Sequence, residues 1–299
     1  MYSNGNGRAT AGAAQAPTGK KVTVPELRAR KGSGLPVAMV TAYDFTMARL
    51  VDQAGVDLIL VGDSLGMVVQ GLANTLPVTL EEMCYHGRAV ARGVARAHVV
   101  GDMPFMSYQG SRAKAVASAG KLLKEGAFES VKLEGGEEAA EQVRAIVRVG
   151  IPVMGHVGLT PQSVHALGGF KVQGRGQDAE AKLLAGARAL EQAGAYAIVL
   201  EAIPPDVAER ITSSVGIPTI GIGAGSQCDG QVLVCTDLLG MAVDHAPRFA
   251  KRYAELGEAI IDAVKRYVGE VQRGVFPAPQ HAYKANHPLD VASEVGVRH

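Results

Sequence analysis

Three carboxylates stand at the ends of successive aliphatic segments of the sequence. Asp63 follows "DLILVG", Asp102 follows "HVVG", and Glu134 ends "SVKLE". If these segments are neighbouring parallel strands, about 4.8 Å apart, the three groups meet at one edge and need a cation between them. Oxygen ligands without clustered Cys or His favour Mg²⁺ over zinc. The pattern predicts a magnesium site at these residues; the alternative is a solvated acidic rim.

Other polar residues end the same segments, among them Ser64, directly after Asp63. Lys132 lies two residues before Glu134, so both side chains leave an extended strand on one face. Its ammonium group can hold an anionic substrate beside the metal; alternatively it only pairs with Glu134. His156, in "VMGH", is a candidate donor to an oxyanion or a structural residue. Glu201, in "AIVLE", lies too far around the ring to bind the metal and is the predicted general base.

A repeated unit positions these residues: a helical stretch, a glycine, and a short aliphatic strand with polar or glycine residues at its end. Examples are "MARLVDQAGVDLILVGDS" and "ARALEQAGAYAIVLEAI". Strands that are apolar on both faces favour a parallel sheet covered by helices. Eight such strands favour a single-domain α/β fold, the (β/α)8 TIM barrel, whose active site lies at the C-terminal ends of the strands. An open doubly wound sheet is the alternative. The predicted strands are 36–43, 57–63, 97–102, 130–134, 152–157, 197–201, 218–223 and 232–236. The glycines predicted to end helices in the left-handed conformation are Gly55, Gly126, Gly150, Gly194 and Gly216.

Composition limits what kind of protein this is. A chain of 299 residues, 47% of them hydrophobic, can bury one large core. The 30 basic and 29 acidic side chains are balanced and form no basic block, so no nucleic-acid partner is expected. No apolar run approaches the about 20 residues that span a bilayer, so no membrane partner is expected. Cys84, Cys228 and Cys235 lack metal-site spacing, which is typical of reduced thiols in a cytoplasmic protein.

The repeating unit also suggests domain boundaries. Residues 1–22 lack the apolar core of a signal peptide and are predicted to be a disordered leader. Residues 23–275 contain the repeats and form the predicted catalytic barrel. Residues 276–299 lose the pattern and are predicted to be a tail. Within the barrel, the Gly-rich connection "GLTPQSVHALGGFKVQGRG" shows no apolar periodicity and is predicted to be a lid or binding loop; the alternative is a merely flexible loop.

A series of motifs gives the sequence a family resemblance. From about Val24 to about Phe276 it resembles the ketopantoate hydroxymethyltransferase family. The motifs, in order, are "TAYD", "LVGDSLGMVVQG", "TLPVT", "DMPF", "VKLEGG", "GHVGLTPQSV", "GGFKVQGR", "LEAIP" and "GIGAG" followed by "DGQVLV". The resemblance implies a (β/α)8 barrel that binds Mg²⁺ and usually assembles as a homodecamer of two pentamer rings.

The resemblance also implies roles for individual residues. Asp63, Asp102 and Glu134 would surround the metal, directly or through water. The ketoacid site would comprise Ser64, Asp102 and Lys132. Asp63 and His156 are further candidates for contact with the substrate. Glu201 would accept a proton from C3 of the substrate.

The reaction that the resemblance implies transfers a hydroxymethyl group from 5,10-methylenetetrahydrofolate to 3-methyl-2-oxobutanoate through a Mg-stabilised enolate. The product is 2-dehydropantoate, a precursor of pantothenate and coenzyme A. One rival is an enzyme of the phosphoenolpyruvate mutase and isocitrate lyase type, whose reactive cysteine loop motif is not found in this sequence. The other is a non-catalytic, metal-dependent ketoacid-binding barrel, which would not need Glu201.

Overall fold

Eight parallel strands pair in chain order, and the last strand returns to pair with the first. The computed structural model describes residues 19–242 and 247–283. The predicted (β/α)8 barrel is confirmed, and the open doubly wound sheet is wrong. The strands are β1 (Val37–Thr41), β2 (Leu58–Val61), β3 (His98–Asp102), β4 (Ser130–Glu134), β5 (Val153–Gly158), β6 (Ala197–Glu201), β7 (Thr219–Ile222) and β8 (Gly230–Leu233).

Strand boundaries follow the prediction closely, apart from β8, which the sequence predicted at 232–236. A Cβ atom on Gly230 would lie 2.5 Å from the carbonyl oxygen of Val37, so glycine lets β8 approach β1 two residues earlier than predicted. The backbone N–H of Cys235 donates to Oγ1 of Thr41 (2.9 Å), and the chain has already turned into a helix there. The error arises because strand pairing, not local apolarity, sets where β8 begins.

Helices cover the outside of the barrel, and several begin at polar caps. Asp44 accepts from the N–H of Met47 (2.9 Å), and Thr79 forms a capping box with Glu82. The helices are α1 (Val24–Arg28), α2 (Phe45–Gln53), α3 (Leu65–Val68), α4 (Leu80–Gly93), α5 (Arg112–Gly126), α6 (Ala140–Arg148), α7 (Val164–Leu167), α8 (Gln177–Gln192), α9 (Pro205–Ser214), α10 (Cys235–Leu238) and α11 (Leu256–Gln272).

Three of the five glycines predicted in the left-handed conformation adopt it: Gly55, Gly150 and Gly194. The prediction is wrong for Gly126 and Gly216. Gly126 is the last residue of α5, and Ala127 takes the left-handed conformation instead, with φ of 59°. A Cβ atom on Gly126 would lie 2.7 Å from the ring of Phe128, so close packing explains this glycine.

Two apolar layers hold the fold together. One fills the space between the sheet and the helices, where Met83, Leu122, Ile146 and Leu190 are buried. The other fills the barrel interior and is built by alternate strand residues. Its strand members include Met39, Leu58, Leu60, Val100, Met154, Val199, Ile220 and Val232, and Tyr196, directly before β6, joins them.

The two predicted terminal segments lie mainly at residues 1–18 and 284–299, outside the described residues. Lys21 already contacts the barrel: its Nζ donates to the carbonyl of Ala97 (2.7 Å) and pairs with Glu129 (2.8 Å). Near the other end, Phe276 packs edge-to-face on Tyr267. The boundaries of the leader and the tail stay predictions. Among the helices that the structure describes, none combines the length and apolarity needed to cross a membrane.

Candidate active site

The predicted site residues form the last layer of side chains at the C-terminal end of the barrel interior. In β5 and β6, Met154 and Val199 belong to the interior apolar layer. His156 and Glu201 follow them by two positions and therefore leave the strand on the same face. Asp102 follows Val100 in the same way. The alternation of side chains thus directs these polar groups toward one space.

Asp102 and Lys132 are directly paired in the register of β3 and β4. Nζ of Lys132 lies 2.7 Å from Oδ1 of Asp102, and both side chains are buried. Burial alone lowers the pKa of Lys132, but the charges of Asp102, Glu134 and Asp63 outweigh it and raise the pKa above its usual value. Lys132 is therefore an ammonium ion whose ion-pair partner is Asp102 rather than Glu134.

Asp63 and Glu134 are linked through Gln162. Nε2 of Gln162 donates to Oδ2 of Asp63 (2.8 Å), and its backbone N–H donates to Oε2 of Glu134 (3.0 Å). The backbone N–H of Asp63 donates to Oδ2 of Asp102 (3.1 Å). Burial, followed by the charge of Asp102, raises the pKa of Asp63 to about 7, and burial together with the charge of Asp63 raises that of Glu134. The three carboxyl groups carry more negative charge than Lys132 alone offsets.

His156 lies between Lys132 and Glu201. Its Nδ1 is 3.4 Å from Nζ of Lys132, and its Nε2 is 3.2 Å from Oε2 of Glu201. Burial and the charge of Lys132 lower the pKa of His156, so the ring is neutral. Because an ammonium group only donates, Nδ1 is assigned as the acceptor and Nε2 carries the hydrogen that faces Glu201.

The contact between His156 and Glu201 is close without meeting full hydrogen-bond geometry, which is common for catalytic groups outside the reacting complex. The side chain of Glu201 is 18% exposed and that of His156 is 2% exposed. Glu201 is therefore the member of this pair that faces the opening of the barrel.

Ser64 borders the same space at the start of α3. Its Oγ lies 2.8 Å from the hydroxyl of Tyr43, a buried residue that the sequence did not single out. A Cβ atom on Gly62 would lie 2.7 Å from Oγ of Ser64 and 3.3 Å from Oδ2 of Asp102. Glycine at position 62 thus leaves open a small space that both polar groups line.

Sequence reasoning missed Gln162 and Tyr108. The hydroxyl of Tyr108 accepts from the backbone N–H of Glu134 (3.1 Å) and lies 3.0 Å from Oε1 of Gln162. Gln162 belongs to the connection predicted as a lid or binding loop, and the turn Pro161–Ser163 and α7 give the first part of that connection regular structure. The motif "GHVGLTPQSV" was the available signal, but it did not identify which residue turns inward.

The oxygen donors fit a hard divalent cation. Mg²⁺ in proteins binds one or two carboxylates and retains several water molecules. Asp63 and Asp102 are two such buried carboxylates, and Glu134 can act through water. Within residues 19–242 and 247–283, no group of three or more Asp, Glu, His or Cys side chains is arranged to hold a metal ion. The residues therefore support a cation bound by two carboxylates and water better than one bound directly by three.

Sequence comparison decides the family of this chain. The sequence profile of the family described as ketopantoate hydroxymethyltransferase matches residues 21–279. The chain belongs to the ketopantoate hydroxymethyltransferase family. Among its relatives, the 3-methyl-2-oxobutanoate hydroxymethyltransferase of Anaeromyxobacter sp. (strain Fw109-5) is 59% identical over 271 residues, which cover 89% of either chain. The enzyme of the same name from Syntrophotalea carbinolica is 53% identical over 264 residues, 88% of this chain and 99% of the relative.

Solved structures share the barrel of this ketopantoate hydroxymethyltransferase family member. Phosphonopyruvate hydrolase in complex with oxalate and Mg²⁺ has a TM-score of 0.57 at 15% identity, covering 86% of this chain and 92% of that one. A 2,3-dimethylmalate lyase of the phosphoenolpyruvate mutase and isocitrate lyase superfamily has a TM-score of 0.56 at 17% identity, covering 86% and 89%. This likeness concerns the fold alone. The predicted family is confirmed, and the phosphoenolpyruvate mutase alternative shares only the barrel.

Proposed function

We propose that this chain transfers a hydroxymethyl group from 5,10-methylenetetrahydrofolate to 3-methyl-2-oxobutanoate and forms 2-dehydropantoate for pantothenate and coenzyme A synthesis. One observation carries the proposal: two buried carboxylates, an ammonium group and a more exposed carboxylate surround one barrel rim in a chain whose curated relatives have this activity in their names. Forming the enolate of a small 2-oxo acid requires a site for a cation, a positive charge for the carboxylate of the acid and a base. These groups supply all three.

Lys132 binds the carboxylate of the ketoacid in this proposal. Its ammonium group is held by Oδ1 of Asp102, so it is in place before the substrate arrives. Oγ of Ser64 borders the same space and can donate a further hydrogen bond to the substrate. His156 acts from the other side, where its Nε2–H orients Glu201 and can donate to a substrate oxygen.

Asp63 and Asp102 would hold Mg²⁺, with Glu134 acting through water. When bound, the cation would polarise the keto group of the substrate, acidify the hydrogen on C3 and stabilise the enolate. The surrounding residues keep these carboxylates buried and oriented, so the site does not have to rearrange as charge develops during the reaction.

Glu201 is the proposed general base. It stands apart from the linked carboxylates Asp63, Asp102 and Glu134, and its greater exposure lets it meet the C3 hydrogen of a bound ketoacid. Glu201 takes the proton from C3, and the electron pair left on C3 forms the new bond to the methylene carbon of the folate. Both bonds from that carbon to folate nitrogens break, and water supplies the hydroxyl oxygen. Of the three protons that C3 and water provide, two go to the folate nitrogens and one stays on the new hydroxyl group.

A homo-oligomer, a decamer by family resemblance, and a cytoplasmic location complete the proposal. The apolar face of α11 supports assembly because its side chains are exposed on the isolated chain, and exposed apolar patches of this kind mark contact surfaces. This face consists of Ile260, Ile261, Val264, Tyr267, Val268 and Val271. A second copy of the chain is the proposed occupant.

Proton exchange tests the chemical proposal. The protein is incubated with Mg²⁺ and 3-methyl-2-oxobutanoate in D₂O, and the C3 proton is followed by NMR. Exchange should require Mg²⁺ and stop with a chelator, and 5,10-methylenetetrahydrofolate should then yield the hydroxymethylated product. Binding of the ketoacid without any exchange would favour the non-catalytic barrel instead.

A further inference from the structure

Gln162 is a buried, uncharged residue whose side-chain amide is fully engaged. It lies in the turn Pro161–Ser163 after β5 and is 7% exposed. Nε2 donates to Oδ2 of Asp63 (2.8 Å) and to the carbonyl oxygen of Met103 (3.0 Å). Oε1 accepts from Nε2 of Gln109 (2.9 Å) and lies 3.0 Å from the hydroxyl of Tyr108. A surface turn residue does not need such a set of partners.

The partners determine which way the amide faces. The carboxylate of Asp63 and the carbonyl of Met103 can only accept, whereas Nε2 of Gln109 only donates. Reversing the amide would set Oε1 against two acceptors and Nε2 against a donor, so the network assigns one orientation. Tyr108 is itself fixed by the backbone of Glu134: its hydroxyl accepts from the N–H (3.1 Å) and lies 2.9 Å from the carbonyl oxygen. Its single hydrogen is thus shared between that carbonyl and Oε1 of Gln162.

Gln162 also reaches Glu134, through its own backbone N–H (3.0 Å). One residue thus joins a carboxylate that follows β2 to a carboxylate at the end of β4, two strands that are not neighbours in the barrel. Its contact with Met103, just after β3, bridges the strand between them. No other contact of these two carboxylates spans the same three strand ends in the part of the chain that the structure describes.

We propose that Gln162 is a positioning residue that holds Asp63 and Glu134 in their cation-binding arrangement, with Gln109 and Tyr108 supporting its amide. This inference rests on the proposed function. A neutral donor orients a carboxylate without cancelling its charge, whereas an ammonium group such as Lys132 offsets one negative charge. The negative charge of Asp63 is therefore left for the cation to offset. Loss of such a partner of a metal-binding group typically costs about 10–100-fold in metal affinity or activity.

Gln162→Leu tests the proposal. Leucine has a similar size and removes the side-chain hydrogen bonds, while the backbone N–H can still serve Glu134. Calorimetry on the metal-stripped full chain should show the Kd for Mg²⁺ rising about 10-fold or more. The apparent KM for Mg²⁺ should rise in parallel, whereas kcat at saturating Mg²⁺ should fall less. The matched control is Gln192→Leu, an exposed residue at the C-terminal end of α8, which should keep the parental Mg²⁺ affinity.

Tyr108→Phe is a second, milder variant in case Gln162→Leu does not fold. It keeps the ring and removes a hydroxyl that contacts both Oε1 of Gln162 and the backbone of Glu134, so the Mg²⁺ Kd should rise in the same direction by a smaller factor. Circular dichroism confirms folding of each variant. Parental Mg²⁺ affinity in a folded Gln162→Leu, or in Tyr108→Phe when the first variant is unfolded, overturns the positioning role, even if the melting temperature falls.

The outcomes separate this inference from the proposed function. If the parent binds Mg²⁺ but transfers no hydroxymethyl group, the proposed function fails, and the Mg²⁺ affinities still decide the role of Gln162. If the parent transfers the group and Gln162→Leu binds Mg²⁺ normally, the function stands and the positioning role falls. A parent that binds no divalent cation overturns both.

Discussion

Nε2 of His156 lies 3.2 Å from Oε2 of Glu201, so the carboxylate proposed as the base faces a neutral imidazole ring and stands apart from the carboxylates of Asp63, Asp102 and Glu134. Asp63, by contrast, lies deep in the rim, where its carboxylate accepts from Gln162 and its backbone N–H donates to Asp102. The two carboxyl groups therefore have different surroundings. This difference makes their roles separable by experiment.

Replacing Glu201 with Gln should separate proton removal from binding. Gln keeps the size of the side chain but cannot accept the C3 proton, so deuterium exchange at C3 and the folate-dependent reaction should each fall by on the order of 10² or more. Ketoacid affinity in the presence of Mg²⁺, measured by calorimetry, should stay within about tenfold of the parent, or about 1.4 kcal/mol. Exchange at the parental rate would instead identify another base, with His156 the first to test. Loss of Mg²⁺-dependent binding would assign Glu201 to the cation site.

Replacing Lys132 with Met should weaken both ketoacid binding and the fold. The apparent KM for the ketoacid should rise much more than kcat falls, because the charge holds the substrate in its ground and transition states alike. Removing one partner of the buried pair with Asp102 should also lower the free energy of unfolding by about 3–5 kcal/mol in metal-free protein, measured by urea denaturation. Mg²⁺ should restore part of this loss, since it brings positive charge to the same carboxylates.

Lys31→Met is the matched control for Lys132→Met. Nζ of Lys31 lies 2.9 Å from Oδ2 of Asp229, away from the candidate site. This variant should lose stability without a change in the ketoacid KM. Mg²⁺ should stabilise it no more than it stabilises the parent. An unchanged KM in Lys132→Met would remove Lys132 from the substrate site.

The stability of metal-free protein should depend on pH through Asp63. Its folded pKa is raised to about 7, mainly by burial, whereas an exposed Asp titrates near about 3.9. Because the folded state binds the proton more tightly, this contribution to stability is complete below about pH 4 and is lost as the pH rises to about 7. Mg²⁺ takes the place of the proton, so its stabilising effect should be larger at pH 8 than at pH 5.

Urea unfolding with and without Mg²⁺ at several pH values measures this effect. Asp63→Asn cannot ionise, so the pH dependence of the metal-free protein should lose the part that Asp63 contributes. Glu134, whose pKa burial also raises, should keep its own part. An equal Mg²⁺ effect at pH 5 and pH 8 in the parent would contradict the involvement of Asp63 in cation binding.

Charge on the apolar face of α11 should disrupt assembly. Ile261→Glu and Val264→Glu place a carboxylate on the face proposed to contact a second copy, so sedimentation velocity should show smaller species than the parent forms. Arg266→Glu, a larger change in charge on the opposite face of the same helix, should leave the assembly intact. Parental sedimentation of both apolar-face variants would remove α11 from the interface.

Much of the fold could be predicted because it depends on local patterns. Continuous apolar strands followed by helices predict a parallel barrel, and β4 and β6 begin and end at the predicted residues. The boundary error at β8 and the misassigned Gly126 have a different origin. The start of β8 depends on the close approach of Gly230 to Val37, which is distant in sequence. Gly126 depends on the packing of the Phe128 ring, which has no local signature in the sequence.

The positions of the rim residues were determined by the sequence itself. Side chains alternate along a strand, so a polar residue two positions beyond an interior apolar residue must enter the same space. Asp102, His156 and Glu201 follow this rule, because they come two positions after Val100, Met154 and Val199. Lys132 and Glu134 share one face of β4 with the polar Ser130, so alternation places those two together without any knowledge of their partners.

The partners of those residues were decided by the tertiary structure alone. The register of β3 and β4 pairs Lys132 with Asp102 where the sequence equally allowed Glu134. The path of the connection after β5 brings Gln162 between Asp63 and Glu134. Register and loop path result from the closure of the whole barrel and the packing of many distant residues, so no short stretch of the chain encodes them.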